Sequence, residues 1–203
     1  MRSPRHPYLS VVVPLYDEQE SIRLLYQRIR SACDRLERSY EIVFVDDGSR
    51  DATYESMVEI QREDPAVTAV RFRKNFGQTA AMAAGFACSR GEVIVSMDGD
   101  LQNDPADIPI LLDKIAAGYD VVCGWRKNRQ DKLISRRVPS VIANWLIGRV
   151  TGVPIHDNGC SLKAYRAALI KRISLYNEMH RFIPAMSTLA GARITEVVVN
   201  HHA

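Results

Sequence analysis

Five short apolar runs, at residues 9–13, 41–45, 67–72, 93–96 and 120–124, set the rhythm of the first 125 residues. Each is dominated by valine or another strand-forming residue and bounded by turn residues, as buried strands are. Between the first two, Ile22, Leu25, Tyr26, Ile29, Ala32, Cys33 and Leu36 recur at three-and-four spacing, which predicts an amphipathic helix. A second helix is expected from Thr53 to about Arg62, with Ser49 or Asp51 as its cap. A third, built of small residues over 78–89, should pack closely on whatever lies beneath it. Pro105 opens a fourth, with Ile108, Leu111, Leu112 and Ile115 on one face and Gly118 just past its end. Strands alternating with helices in this way predict an α/β fold with a mainly parallel, Rossmann-like sheet flanked by helices. In such sheets ligands bind beyond the carboxyl ends of the strands.

Those ends carry the polar residues. Pro14-Leu15-Tyr16-Asp17-Glu18 follows the first strand, Asp46-Asp47-Gly48-Ser49 the second and Asp98-Gly99-Asp100-Leu101-Gln102 the fourth, so all three fall on one rim. Side chains alternate along a strand, which points Asp98 and Asp100 the same way. Two carboxylates held that close repel unless a cation lies between them, and hard oxygen ligands suit Mg²⁺ or Mn²⁺. The expected site is a divalent cation on a diphosphate. The plainer reading of the same residues is an acidic turn ahead of the Pro105 helix, and a lone pair of aspartates one residue apart is common. The shared rim is what favours the site.

A chain of 203 residues with 46% hydrophobic and 25% charged residues is long enough for one complete core. The four cysteines are widely spaced, with no C-x-x-C pair, and read as reduced and mostly buried thiols of a cytosolic protein. Residues 1–7 hold no signal-type apolar segment, and no run reaches the roughly 18 apolar residues of a membrane span. The net charge of +3 is uneven: residues 126–149 carry seven Lys or Arg against Asp131 alone. After Gly124 the rhythm breaks into a basic loop, a helix-like apolar stretch over 138–150, and a loop leading to a strand over 156–166. A short helix over 167–173, a segment over 178–191 and a last strand over 194–200 complete the chain.

The motifs Val-Val-Val-Pro14-Leu-Tyr16-Asp-Glu18, Val45-Asp46-Asp47-Gly48-Ser49 and Asp98-Gly99-Asp100-Leu101-Gln102-Asn103-Asp104-Pro105 together resemble family-two glycosyltransferases of the GT-A fold. The resemblance is strongest to the polyprenyl-phosphate branch, which includes dolichol-phosphate mannose synthases and bacterial undecaprenyl-phosphate sugar transferases. It covers nearly the whole chain. The block Asn75-Phe76-Gly77-Gln78, and Asp157-Asn158-Gly159-Cys160 before Leu162-Lys163-Ala164-Tyr165-Arg166, sharpen it toward the bacterial enzymes.

The resemblance implies a metal-dependent, inverting transfer of a sugar from a nucleotide-diphospho-sugar, UDP in preference to GDP, to a polyprenyl phosphate. Pro14, Tyr16, Glu18, Val45 and Asp47 would frame the nucleoside, with Asp47 accepting a base imide N–H. A capping turn is the alternative for Asp46 to Ser49. Asp98 and Asp100, joined through Gly99 and with Gln102 as a third oxygen ligand, would hold Mg²⁺ or Mn²⁺ on the diphosphate, and Arg126 would meet the leaving group from the other side. Asp157 stands at the acceptor-side carboxylate position, with an Asx turn as its alternative. Two departures stand out: Asp17 replaces a frequent Asn, and longer relatives continue into interfacial helices and membrane spans. The expected organisation is therefore one catalytic domain, residues 1–125 binding the nucleotide-sugar and 126–203 facing the acceptor, at the cytoplasmic inner face of the cell membrane.

Lys132, Arg136 and Arg137 lead into an apolar stretch bearing Trp145, a pattern suited to an anionic membrane surface and to a lipid phosphate. Arg181 is a further phosphate ligand on this reading, or a solvated charge at a helix start. His201 and His202 read as surface residues. A homo-oligomer is compatible with the sequence, whereas nucleic acid is not an expected partner, since no aromatics interleave with the basic residues. The rival readings are a transferase with a soluble or polysaccharide acceptor and a non-catalytic nucleotide-sugar-binding subunit.

Overall fold

A computed structural model describes residues 6–127, 155–176 and 179–202. The strands are β1 (Leu9–Leu15), β2 (Tyr40–Asp46), β3 (Val67–Arg71), β4 (Val93–Ser96), β5 (Val121–Trp125), β6 (Lys163–Arg166) and β7 (Ile194–Val198). The helices are α1 (Ile22–Asp34), α2 (Thr53–Glu63), α3 (Gln78–Cys88), α4 (Ile108–Ala116), α5 (Ala167–Ile170) and α6 (Ile183–Leu189). One seven-stranded sheet runs in the order β3-β2-β1-β4-β6-β5-β7. β1 pairs in parallel with β2 and β4, β2 with β3, and β5 with β7. β6 alone runs antiparallel, wedged between β4 and β5. Because β6 opposes both neighbours, β4 and β5 point the same way. The carboxyl ends of β1, β2, β4 and β5 therefore share a rim.

Two buried clusters make this a three-layer sandwich. On one face Leu9, Val11, Val13 and Phe44 meet Ile22, Leu25 and Ile29 of α1, Met57 and Ile60 of α2, and Leu111 and Ile115 of α4. On the other, Val12, Val43, Val45 and Ile94 meet Ala81, Met82 and Phe86 of α3 together with Tyr165, Ile170 and Ile183. The period-two alternation of β1 thus feeds both cores. The small residues of α3 are there for close approach: a Cβ on Gly85 would overlap the Val12 side chain.

Element ends differ from the sequence expectation in instructive ways. β1 runs on through Pro14 to Leu15, two residues past the expected end. Pairing with β4 stops at Val12–Ser96, so the N–H that Pro14 lacks removes no ladder bond on that side. Pro105 starts a 3₁₀ turn (Pro105–Asp107), capped by the Asp104 carboxylate, and α4 begins only at Ile108. Cys33, Cys123 and Cys160 are buried, but Cys88 at the end of α3 is exposed. No helix among the described residues is long and apolar enough to cross a membrane. The stretch expected over 138–150 lies outside them.

Candidate functional site

A cavity of about 370 Å³ opens on the shared rim, lined by Pro14, Leu15, Tyr16, Glu18, Asp47, Asn75, Gly77, Gln78, Asp98, Gly99 and Asp100. The ends of β1, β2 and β4 and the entry to α3 converge there. Of the residues singled out in the sequence, Pro14, Tyr16, Glu18, Asp47, Asp98, Gly99 and Asp100 form its wall.

The β1 and β2 ends are stapled side by side. The Asp17 N–H donates to Ser49 Oγ at 3.0 Å and the Arg50 N–H to Asp17 Oδ1 at 2.8 Å. The Glu18 N–H donates to Thr53 Oγ1 at 2.8 Å, and Gln19 N–H to Asp51 Oδ2 at 3.1 Å. Asp17 adopts φ +55°, a left-handed conformation that Asn and Asp tolerate best, so Asp can serve there as well as Asn. Ser49 lies three residues ahead of Ala52, the residue at the start of α2, and binds the Asp17 N–H rather than capping the helix, while Asp51 binds the first-turn N–H of Thr53.

The two aspartates at the end of β2 take up both roles offered for the 46–49 segment, the turn and the ligand-facing carboxylate. Asp46 is fully buried and forms the turn, accepting the Ser49 N–H at 2.9 Å. Asp47 faces the cavity, and its oxygens accept the N–H groups of Phe76 at 2.7 Å and Gly77 at 2.9 Å. A carboxylate has about four acceptor sites, so capacity remains for a ligand donor. The Asp47 turn and the loop before α3 meet at Gly48, where φ is +74° and a Cβ would lie 2.5 Å from the Lys74 carbonyl carbon. Gly48→Ala is therefore expected to cost about 1–3 kcal/mol and to weaken ligand binding at Asp47, read by denaturant unfolding alongside nucleotide titration.

On the opposite wall, Gln78 Nε2 donates to Asp98 Oδ1 at 2.6 Å, and the Asp98 N–H donates to Asn103 Oδ1 at 3.2 Å. Asp100 is exposed and accepts the Gln102 N–H at 3.0 Å. Gly99 presses against Leu15, leaving no room for a Cβ, and Leu101 holds φ +64°, backbone strain of the kind found where a loop must aim its side chains. Burial raises the Asp98 carboxyl's proton affinity; the Asp100 charge adds to this, while the Ser161 hydroxyl, Lys163 and Arg126 oppose it without cancelling it.

Val45 does not reach the wall; its side chain is fully buried beneath α3. Gln102 also turns away: Oε1 lies 3.2 Å from His201 Nε2, and the His202 N–H donates to the Gln102 carbonyl. His201 is thus a half-buried neighbour of the aspartate loop, not the detached surface residue its position suggested. Asn103 and His201 form a β-bridge that fastens the two segments together. Gln78 and His201 are neighbours of this loop to which the sequence gave no role at the site. The Asn75–Gln78 block was a signal for the first; the second rests on a contact across 99 residues.

Arg126 and Asp157 meet each other. Arg126 Nε donates to Asp157 Oδ2 at 2.8 Å and a terminal nitrogen to Oδ1 at 3.0 Å, with both side chains about nine-tenths buried. Burial pushes the Asp157 carboxyl up, but the hydrogen bonds and charge of Arg126 outweigh it and hold it below the usual value. Arg181 is exposed on a 3₁₀ turn (Met179–Phe182), whose His180 contacts Thr79 of α3 at 2.7 Å. Lys132 and Arg136 lie outside the described residues.

A cavity at the strand ends of a mainly parallel sheet, with acidic residues on two walls, defines an α/β protein suited to a polar ligand at the sheet's carboxyl rim. The chain belongs to glycosyl transferase family 2, whose family model matches residues 10–174. It is 49% identical to a dodecaprenyl-phosphate galacturonate synthase from Rhizobium johnstonii, over 96% of this chain and 59% of the relative. It is 42% identical to an undecaprenyl-phosphate 4-deoxy-4-formamido-L-arabinose transferase from Salmonella choleraesuis, over 95% of this chain and 59% of that protein. The chain spans about three fifths of the length of these relatives. Its fold is shared with glucosyl-3-phosphoglycerate synthase from Mycobacterium tuberculosis in complex with Mn²⁺, UDP and phosphoglyceric acid, at TM-score 0.73 and 19% identity over 97% of this chain and 71% of the other. A mannosyltransferase from Pyrobaculum calidifontis, in complex with GDP-mannose and Mn²⁺, matches at TM-score 0.69 and 18% identity over 97% of this chain and 57% of its own.

Proposed function

We propose that the chain is the catalytic domain of a transferase that moves a sugar, with inversion, from a nucleotide-diphospho-sugar to a polyprenyl phosphate. The observation that carries this is the rim cavity, where Asp47, Tyr16 and Glu18 share one space with Asp98 and Asp100 in a chain related to polyprenyl-phosphate transferases. Residues 1–125 are the donor half and 126–203 the acceptor half. UDP is taken as the donor nucleotide in preference to GDP, the choice that the labelled-donor assay below decides.

The residues present fit a divalent cation. Asp98 and Asp100 offer hard oxygen donors on one wall, and the raised proton affinity of Asp98 reflects a burial cost that a cation would offset. Mg²⁺ typically takes one or two carboxylates and completes its shell with water and phosphate. Bound Mg²⁺ or Mn²⁺ supplies Lewis-acid compensation for charge on the donor diphosphate.

The rest falls to the protein. Asp47, Tyr16 and Pro14 orient the nucleoside, and Asp100, exposed at the cavity wall, would serve the diphosphate end. Arg126, held by Asp157, brings a fixed cation to the leaving group's far side. A phosphate monoester has a second pKa of about 6 and is already largely dianionic at neutral pH, so the acceptor needs no general base. What it needs is a neighbour that tolerates two anions together, which Arg126 provides, with Arg181, Lys132 and Arg136 as further phosphate ligands at the inner membrane face.

Incubation with radiolabelled UDP- and GDP-sugars, undecaprenyl phosphate and Mg²⁺ is expected to yield an acid-labile, lipid-linked sugar from the UDP donor. A chelator should abolish both product and nucleotide binding, and Mg²⁺ or Mn²⁺ should restore them. Label that stays water-soluble under all conditions would sink the acceptor assignment.

A further inference from the structure

We propose that Lys163 is a positioning residue for the acceptor side of the site: its buried ammonium fastens the 157–161 loop through two main-chain carbonyls and so holds the Arg126–Asp157 pair beside the Asp98–Asp100 loop. Lys163 is the first residue of β6, registered between Ser96 of β4 and Cys123 of β5, and only 3% exposed. Its Nζ donates to the Asn158 carbonyl at 3.1 Å and to that of Cys160. No carboxylate forms an ion pair with it among the described residues; Asp157 is taken by Arg126.

A buried charge is costly, and an apolar side chain of similar length fills such a space without that cost. The ammonium's contribution therefore lies in what it bonds. Asp157, Asn158 and Cys160 are all buried, so their loop has few waters to satisfy inward-facing carbonyls. An ammonium carries three donors and no acceptor, which suits converging carbonyls. The loop's other end is tied to the aspartate strand. Ser96 Oγ donates to the Ser161 carbonyl at 2.8 Å, and Ser161 Oγ donates to Asn103 Oδ1 at 2.7 Å, the atom that also receives the Asp98 N–H. Lys163 thus closes a frame with Asp98 on one side and Asp157 on the other. Its charge also favours the ionised forms of both carboxylates.

The kinetic arm of the test rests on the proposed polyprenyl-phosphate acceptor; the exchange arm does not. In Lys163→Met, the Asn158 and Cys160 carbonyls lose the Lys163 ammonium, and amide hydrogen exchange across 157–161 should quicken by about tenfold or more. The KM for undecaprenyl phosphate should rise by a similar factor, and the calorimetric Kd for UDP with Mg²⁺ should rise with it, since the loosened Arg126 and Asp98 also serve the donor diphosphate. Lys163→Gln keeps side-chain donors without the charge and should recover most of the exchange protection and acceptor KM. Unchanged exchange in folded Lys163→Met would overturn the inference, as would a wild-type KM for undecaprenyl phosphate in a variant whose loop has loosened. If the wild type transfers nothing to a polyprenyl phosphate, the functional reading fails and exchange alone decides the positioning role. If Lys163→Met does not fold, Lys163→Gln decides: wild-type exchange and KM support the frame, and a loosened loop with unaltered transfer refutes it.

Discussion

Replacing Asp100 with alanine is expected to cut sugar transfer by about a hundredfold to a thousandfold while leaving the domain folded. The two halves of that expectation come from different features. Asp100 is exposed, and the hydrogen bond it makes is the short turn contact with the Gln102 N–H, so its removal takes little from the core. Yet it shares the cavity wall with Asp98, and a single carboxylate is a poorer seat for a divalent cation than two. Asp98 is a less clean choice for the same experiment, because its carboxylate also anchors Gln78 at the entry to α3. In Asp100→Ala the Mg²⁺ concentration for half-maximal UDP binding should rise at least about tenfold, with the far-UV spectrum unchanged. Wild-type turnover in that variant would remove Asp100 from the reaction.

The order of strands and helices was readable because local patterns suffice for it: period two in β1, three-and-four spacing in α1, proline and glycine at the bounds of the 105–118 segment. The rim followed from those patterns, since consecutive parallel strands must end on one side. What lay beyond reach were pairings between segments distant in the chain. Asp46 and Asp47 are adjacent and chemically identical; the family motif named Asp47 for the ligand, but its anchoring by Phe76 and Gly77, about thirty residues on, was not in any local pattern. The antiparallel sense of β6 depends on β5 coming to lie beyond it, which no window of sequence contains. His201 looked isolated because its neighbour Gln102 is 99 residues away. Lys163, though part of the motif block, had no role for a similar reason: its alternation along β6 says that it points to one face, but not that two carbonyls wait there.

Asp157→Ala is expected to destabilise the domain by about 3–5 kcal/mol, more than any exposed charge here could. Arg126 would be left about nine-tenths buried with a guanidinium that has lost both side-chain acceptors. Most of that cost belongs to the stranded cation rather than to the pair itself, so Asp157→Ala with Arg126→Met should recover much of the stability in a denaturant midpoint. Transfer should not recover with it, because the reading gives Arg126 the leaving group's charge to offset. Acid adds an independent check. The folded-state Asp157 carboxyl lies below its unfolded value, so the pair's contribution is complete above about pH 3.9 and is lost as pH falls through the depressed folded value. Between neutral pH and that window the wild type should keep its margin over Asp157→Ala, and below it the two unfolding curves should converge. A margin that persists undiminished into strong acid would mean that Asp157 holds the fold by packing rather than by charge, and the site's acceptor side would then have to be rebuilt around Arg126 alone.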